Sequence, residues 1–145
     1  SMTRYLMTIG EAVDLVIMAA AVADYRPEHV EDAKIKKEQQ GDTFDLHLVK
    51  NPDILQQLAA ARRPGQLIVG FAAETEPDRA ALVELGRAKL KRKGADFLVL
   101  NTVGWTEGFA TEGNTIVVLN RAGDIVGEAT GSKLTVAGRI LDLLS

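Results

Sequence analysis

The chain of 145 residues contains no cysteine. That excludes disulfide cross-links, thiolate metal cages and a cysteine nucleophile, and it fits a reducing compartment, here expected to be the cytoplasm. Aromatic residues are scarce at 5 %, so a core must come from aliphatic side chains. A basic excess is missing too. The formal net charge is -3, which argues against a general nucleic-acid binder, because neutralising phosphates requires surplus Lys and Arg. No apolar run approaches the roughly 20 residues of a membrane-spanning helix; the longest, Leu15 to Ala23, reads as a buried strand and its exit. No secretory leader is recognisable, and Ser1-Met2 reads as the remnant of a cleaved tag. Neither G-x-G-x-x-G nor G-x-x-x-x-G-K-[ST] occurs, and His29 and His47 have no ligand-like spacing.

What is present alternates between two periods. Tyr5, Leu6, Ile9, Ala12 and Val13 recur at helical spacing, predicting an amphipathic helix over Thr3–Val13. Leu15–Ala19 reads as a strand buried on both faces. Residues 20–37 read as irregular, being rich in charge and containing Pro27. Thr43–Val49 alternates, with Phe44, Leu46 and Leu48 on one face, which predicts a half-exposed strand. Asn51-Pro52-Asp53 signals the start of a helix reaching about Arg62. Leu67–Phe71 and Phe97–Asn101 read as buried strands, separated by a long helix from Pro77 to Lys93 that Gly94 closes. Thr115–Leu119 and Ile125–Ala129 flank a hairpin turn, and Ser132 can cap a last helix, Lys133–Leu144.

Buried strands alternating with helices give an α/β, Rossmann-like three-layer domain over 1–145, with a mainly parallel sheet plus a C-terminal β-hairpin. A doubly wound sheet usually opens on a strand and a phosphate-binding turn. This chain opens on a helix, so the expectation is that the first strand–turn–helix unit of the domain is missing from it.

Ligands of open α/β sheets collect beyond the carboxyl ends of the parallel strands. There the small residues Ala19–Ala23 allow close backbone approach, and Asp24 can hold ribose hydroxyls or a metal, or be a plain surface carboxylate. Phe71 can wall a pocket or pack in the core; Glu74 can meet a second substrate or cap the next helix. Asn101 begins a polar strand exit, Asn101-Thr102-Val103-Gly104, and its side chain can simply make a turn. Lys34 and Lys36 share one face of an extended segment. Lys89 and Lys93 lie four apart on one helix face, suited to straddling a triphosphate or to being solvated. These residues define an α/β site for a phosphorylated ligand and go no further alone.

Taken in order, however, Ala20-Ala21-Val22-Ala23-Asp24-Tyr25-Arg26, Lys34-Ile35-Lys36-Lys37, Val49-Lys50-Asn51-Pro52-Asp53-Ile54 and Gly70-Phe71-Ala72-Ala73-Glu74-Thr75 form a series. It resembles the ligase half of the bacterial bifunctional phosphopantothenoylcysteine decarboxylase/phosphopantothenate–cysteine ligase, from about Asp14 to the C-terminus. The resemblance implies a ligase of coenzyme A biosynthesis that joins 4′-phosphopantothenate and cysteine through an acyl-cytidylate formed with CTP and Mg2+. It implies nucleoside contacts from the backbone of Met18, Ala19 and Ala20 and the side chain of Asp24. Lys34 resembles the lysine needed to form the acyl-cytidylate. The turn Val49-Lys50-Asn51-Pro52, with Phe71, Lys89 and Lys93, resembles the rest of the CTP site; the metal ligands stay unassigned. An arm over about 34–50 is implied to make a homodimer. The family's flavin-dependent decarboxylase half has no counterpart in this sequence, so no flavin is expected on it. The alternatives are a non-catalytic nucleotide-binding module and a dehydrogenase-type dinucleotide domain, the latter disfavoured by the missing glycine fingerprint.

Overall fold

The computed structural model describes residues 13–20, 22–30, 43–102 and 114–144. Two compact units divide the chain, one formed by residues 1–20 and 54–145 and a smaller one by residues 21–53. The expected Thr3–Val13 helix lies outside the described residues except for Val13, which has no regular structure.

In the larger unit the described strands form one five-stranded sheet. They are β1 (Leu15–Met18), β4 (Leu67–Glu74), β5 (Phe97–Thr102), β6 (Asn114–Asn120) and β7 (Ile125–Gly131), in the order β1-β4-β5-β6-β7. The pairs β1–β4 and β4–β5 are parallel, whereas β5–β6 and β6–β7 are antiparallel. Only β6 therefore runs against the other four. The helices are α1 (Ile54–Ala60), α2 (Arg79–Lys93) and α3 (Lys133–Leu144).

Side-chain alternation sorts the sheet into two faces. Ile68, Ala72, Leu98, Leu100, Val117 and Leu119 face one way and pack with Leu55 of α1 and Leu82, Val83 and Leu90 of α2. Val69, Val99, Ile116 and Val118 face the other way against Val136 and Ile140 of α3. These are the three layers expected from the sequence. Continuous apolar stretches in β4 and β5 follow directly, because a central strand is covered on both faces.

Local chemistry sets the boundaries. The Asp78 carboxylate accepts the Ala81 N–H at 2.7 Å, so α2 starts two residues after Pro77. It ends where Gly94 turns left-handed, φ 72°, and donates its N–H to Leu90 O. Gly86 permits the close seat of α2 on the sheet: a Cβ there would lie 2.5 Å from Leu100 Cδ1. In the hairpin, Asn120 Oδ1 accepts the N–H groups of Ala122 and Asp124, and Gly123 takes φ 86°. Ser132 Oγ accepts the Thr135 N–H, capping α3 as its sequence suggests.

At the amino ends of β4 and β5 sits a nearly buried carboxylate, Asp96. Its Oδ2 accepts the Ile68 N–H at 2.9 Å, and its Oδ1 accepts Arg62 Nη1 at 2.9 Å. Arg62 also donates to Gly94 O. This clamp joins the ends of α1, α2 and two core strands.

Several expectations change. The Leu15–Ala19 strand is not buried on both faces: among the described strands β1 is an edge, Ile17 is exposed, and pairing ends at Met18. Asn101 and Thr102 continue β5 and do not make a turn there, because their register with β6 persists to Thr115. In the smaller unit, β2 (Tyr25–Pro27) occupies a stretch expected to be irregular and pairs antiparallel with β3 (Leu48–Lys50). Pro27 is tolerated because a two-stranded ribbon has only edges. The Thr43–Val49 strand shrinks to Leu48–Lys50, and its apolar residues Phe44, Leu46 and Leu48 are exposed. Finally α1 starts at Ile54 and ends at Ala60; Asn51 does not cap it, because its side chain bonds within the ribbon.

Candidate functional site

In the larger unit, the parallel strands β4 and β5 finish together at Glu74 and Thr102, while β1 stops at Met18, level with Gly70 of β4. Met18 packs toward the face covered by α1 and α2, while Ala19 and Ala20 leave the strand exposed. Glu74, Thr102, Thr115 and Thr130 follow one another in register, and the two last hydroxyls are 3.1 Å apart. The apolar sheet thus ends in a polar rim.

Lys89 reaches this rim. Its Nζ hydrogen-bonds Glu74 Oε1, with the lysine side chain 34 % exposed and the glutamate 17 %. Helical Cα–Cβ bonds tilt toward the helix N-terminus, so a lysine late in α2 extends back toward the end of β4. An ammonium has three donors; Glu74 uses one. Lys93 lies about 6 Å further along the axis, from a rise of about 1.5 Å per residue. It is half-buried and also engaged in a polar interaction.

Phe71 is not brought to Lys89. Its half-buried ring packs against the cluster that contains Val69, Val99 and Val136, on the sheet face covered by α3, opposite to α2. On that same face Asn101 holds a buried Oδ1 with no hydrogen-bond partner among the described residues. The two-residue alternation that separates Phe71 from Glu74 was available in the sequence. The Glu74–Lys89 pair was not, since it depends on how α2 lies over β4.

In the smaller unit, Tyr25, Arg26 and Pro27 stand opposite Lys50, Val49 and Leu48. Beyond the last pair, Asn51 N donates to Asp24 O at 2.8 Å and Asn51 Nδ2 donates to Ala23 O at 2.8 Å. Arg26 Nη1 donates to Asn51 Oδ1 at 3.0 Å and to Lys50 O at 3.3 Å. The ribbon thus brings Asp24, Val49, Lys50 and Asn51 together, with Pro52 next in the chain. Asp24 and Lys50 are exposed, and neither charged end has a partner among the described residues. Lys34, Lys36 and Lys37 lie outside the described residues. Of the arm expected over 34–50, residues 43–50 belong to this smaller unit. No group of three or more His, Asp or Glu side chains able to hold a metal occurs among the described residues. No described helix is long and apolar enough to cross a membrane.

A mixed, partly parallel sheet covered by helices on both faces, with a polar rim at the carboxyl ends of β4 and β5, places the domain in the Rossmann-like α/β class. Within that class, the chain belongs to the DNA/pantothenate metabolism flavoprotein C-terminal domain family, which it matches over residues 1–145. It is 42 % identical over 137 residues to the coenzyme A biosynthesis bifunctional protein CoaBC of Mycolicibacterium smegmatis, covering 91 % of this chain and 33 % of that protein. The CoaBC of Mycobacterium bovis is 43 % identical over 136 residues, 90 % of this chain and 32 % of the relative. The chain therefore spans about a third of the length of the curated relatives it matches. Among solved structures it resembles the DNA/pantothenate metabolism flavoprotein of Streptococcus pneumoniae, with a TM-score of 0.76 at 17 % identity over 99 % of this chain and 67 % of the other. A Cab2 variant in complex with phosphopantothenate-cysteine shares the fold at a TM-score of 0.63 and 23 % identity, covering 95 % of this chain and 48 % of that one.

Proposed function

We propose that this domain is the nucleotide-binding part of a CTP-dependent phosphopantothenate–cysteine ligase acting in coenzyme A biosynthesis. The observation that carries the reading is the similarity to bifunctional CoaBC proteins over nine-tenths of the chain. In the proposed reaction the carboxylate of 4′-phosphopantothenate attacks the α-phosphorus of CTP, and pyrophosphate leaves. The cysteine amine then attacks the acyl carbon of the acyl-cytidylate, gives up a proton, and releases CMP.

The chemistry needs charge neutralisation around phosphates and shelter for a reactive anhydride. In the larger unit the proposal assigns the backbone of Met18, Ala19 and Ala20 to the nucleoside and the free donors of Lys89, with Lys93, to phosphate oxygens. Phe71 enters as a packing residue behind the strand end, given its position under α3. In the smaller unit it assigns Asp24 to the nucleoside and the turn Val49-Lys50-Asn51-Pro52 to the rest of CTP. Lys34 is assigned to offsetting charge during acyl-cytidylate formation. In the proposal magnesium arrives on the triphosphate, as is usual for that ion. The proposal further includes a cytoplasmic homodimer, joined in the complete protein to a flavin-dependent decarboxylase.

The test is release of CMP and pyrophosphate from CTP in the presence of phosphopantothenate and cysteine, run beside a longer protein that includes a glycine-rich strand–helix unit. CTP-dependent release by either supports a ligase. CTP binding with no release by either would reduce the reading to a nucleotide-binding module.

A further inference from the structure

Asn51 is assigned above to nucleotide contact, yet both ends of its carboxamide are already used. Nδ2 donates to Ala23 O at 2.8 Å, and Oδ1 accepts from Arg26 Nη1 at 3.0 Å. The amide cannot be turned over. A flip would set NH2 against a guanidinium and oxygen against a carbonyl, two like pairs in place of two hydrogen bonds. The backbone is held as well, since Asn51 N donates to Asp24 O at 2.8 Å and the residue before Pro52 is restricted to extended conformations. Arg26 is the outer member of this set. Its Nη1 bridges Asn51 Oδ1 and Lys50 O, so one side chain of β2 holds the last residue of β3 and the residue after it.

This separates the polar groups of the ribbon by task. Asp24 and Lys50 keep their charged ends free among the described residues, whereas Asn51 spends both ends of its carboxamide, and Arg26 its Nη1, on one another and on the chain. We infer that Arg26 is a positioning residue for nucleotide binding: by locking the Asn51 carboxamide it sets the conformation of the Val49–Pro52 turn, and it does not contact the nucleotide itself. The inference rests on the ligase reading for the nature of the ligand, while the lock is internal to the ribbon. A planar guanidinium suits this role, because its donors hold a fixed direction that a lysine ammonium lacks.

The experiment is calorimetric titration of magnesium–CTP into the wild-type chain, Arg26→Gln, Asn51→Ala and the double variant. Melting temperature and amide hydrogen exchange are followed in parallel. Each single substitution is expected to weaken CTP about tenfold or more, the effect of losing a charge-assisted or orienting hydrogen bond. The double variant should be no weaker than Asn51→Ala alone, since residues acting through one contact are not additive. Exchange at the Asn51 amide should quicken in Arg26→Gln while the melting temperature stays near wild type, the bonds being exposed. Wild type that fails to bind CTP would overturn the ligase reading and the inference with it. Wild-type binding combined with either an unaffected Arg26→Gln or additive losses in the double variant would overturn the inference alone.

Discussion

Removing the Asp96 carboxylate is expected to be among the most damaging single changes in the larger unit. The Asp96 side chain is 12 % exposed and that of Arg62 20 %. Asp96→Ala strands the Arg62 guanidinium and leaves the Ile68 N–H without its side-chain acceptor in a core strand. Breaking a buried pair from one side costs about 3–5 kcal/mol, because the remaining charge stays desolvated. The second Arg contact adds little, since Arg121 is 65 % exposed and 3.4 Å away; Arg121→Ala should cost less than about 1 kcal/mol. Asp96→Asn is not a mild alternative. One oxygen faces the Ile68 N–H and the other faces Arg62, so the amide NH2 must oppose a donor whichever way it turns. Against a total stability of about 5–15 kcal/mol, the loss is severe. At about 3 °C or more per kcal/mol for a chain of this size, the melting temperature should fall by about 10 °C or more. Urea denaturation of wild type, Asp96→Ala, Asp96→Asn and Arg121→Ala reads this directly. A cost below about 1 kcal/mol for Asp96→Ala, or an Asn variant as stable as wild type, would refute the reasoning.

Other outcomes follow from the same structure. Gly86→Ala should destabilise by about 1–2 kcal/mol despite better helix propensity, because its Cβ would meet Leu100 Cδ1 at 2.5 Å and Leu119 Cδ1 at 2.9 Å. Gly138→Ala, with nothing within 4 Å of the new Cβ, should instead stabilise α3 by about 0.5–1 kcal/mol; paired thermal melts check both signs. Asn120→Ala removes the acceptor for two turn N–H groups and should cost about 1 kcal/mol by denaturant titration. Lys89→Gln should weaken CTP by about 1.5–3 kcal/mol, one to two decades, while leaving cytidine binding nearly unchanged in the same calorimeter.

How much of this was legible in the sequence depends on the range of the contacts involved. Local signals worked where local chemistry decides: Gly94 ends α2, Ser132 starts α3 at Lys133, and Asn120–Asp124 makes the hairpin turn. The apolar runs of β4 and β5 marked central strands, but the run at β1 looked the same and is an edge among the described strands, since an unbroken apolar stretch does not reveal how many neighbours a strand has. Strand β2 was hidden by Pro27 and by charge, which a ribbon tolerates and a central strand does not. The alternation of Phe44, Leu46 and Leu48 was real, yet the smaller unit leaves these residues exposed. For the candidate site, the motifs fall at the strand ends of the larger unit and at the turn of the ribbon. They could not show that Asn51 is held by Arg26, nor that Lys89 is committed to Glu74, because each pairing joins segments far apart in sequence. The Asp96 clamp was missed for the same reason: a polar residue between a helix and a strand reads as an ordinary loop, and its partner Arg62 is 34 positions away.

The central claim is that this domain binds a cytidine triphosphate. Its most direct test is calorimetric titration of the wild-type chain with magnesium–CTP, magnesium–ATP and NAD at equal concentration, with thermal shift as a second readout. The account predicts saturable binding of CTP, a clearly smaller response to ATP and none to NAD. Equal responses to CTP and ATP, or a preference for NAD, would contradict it.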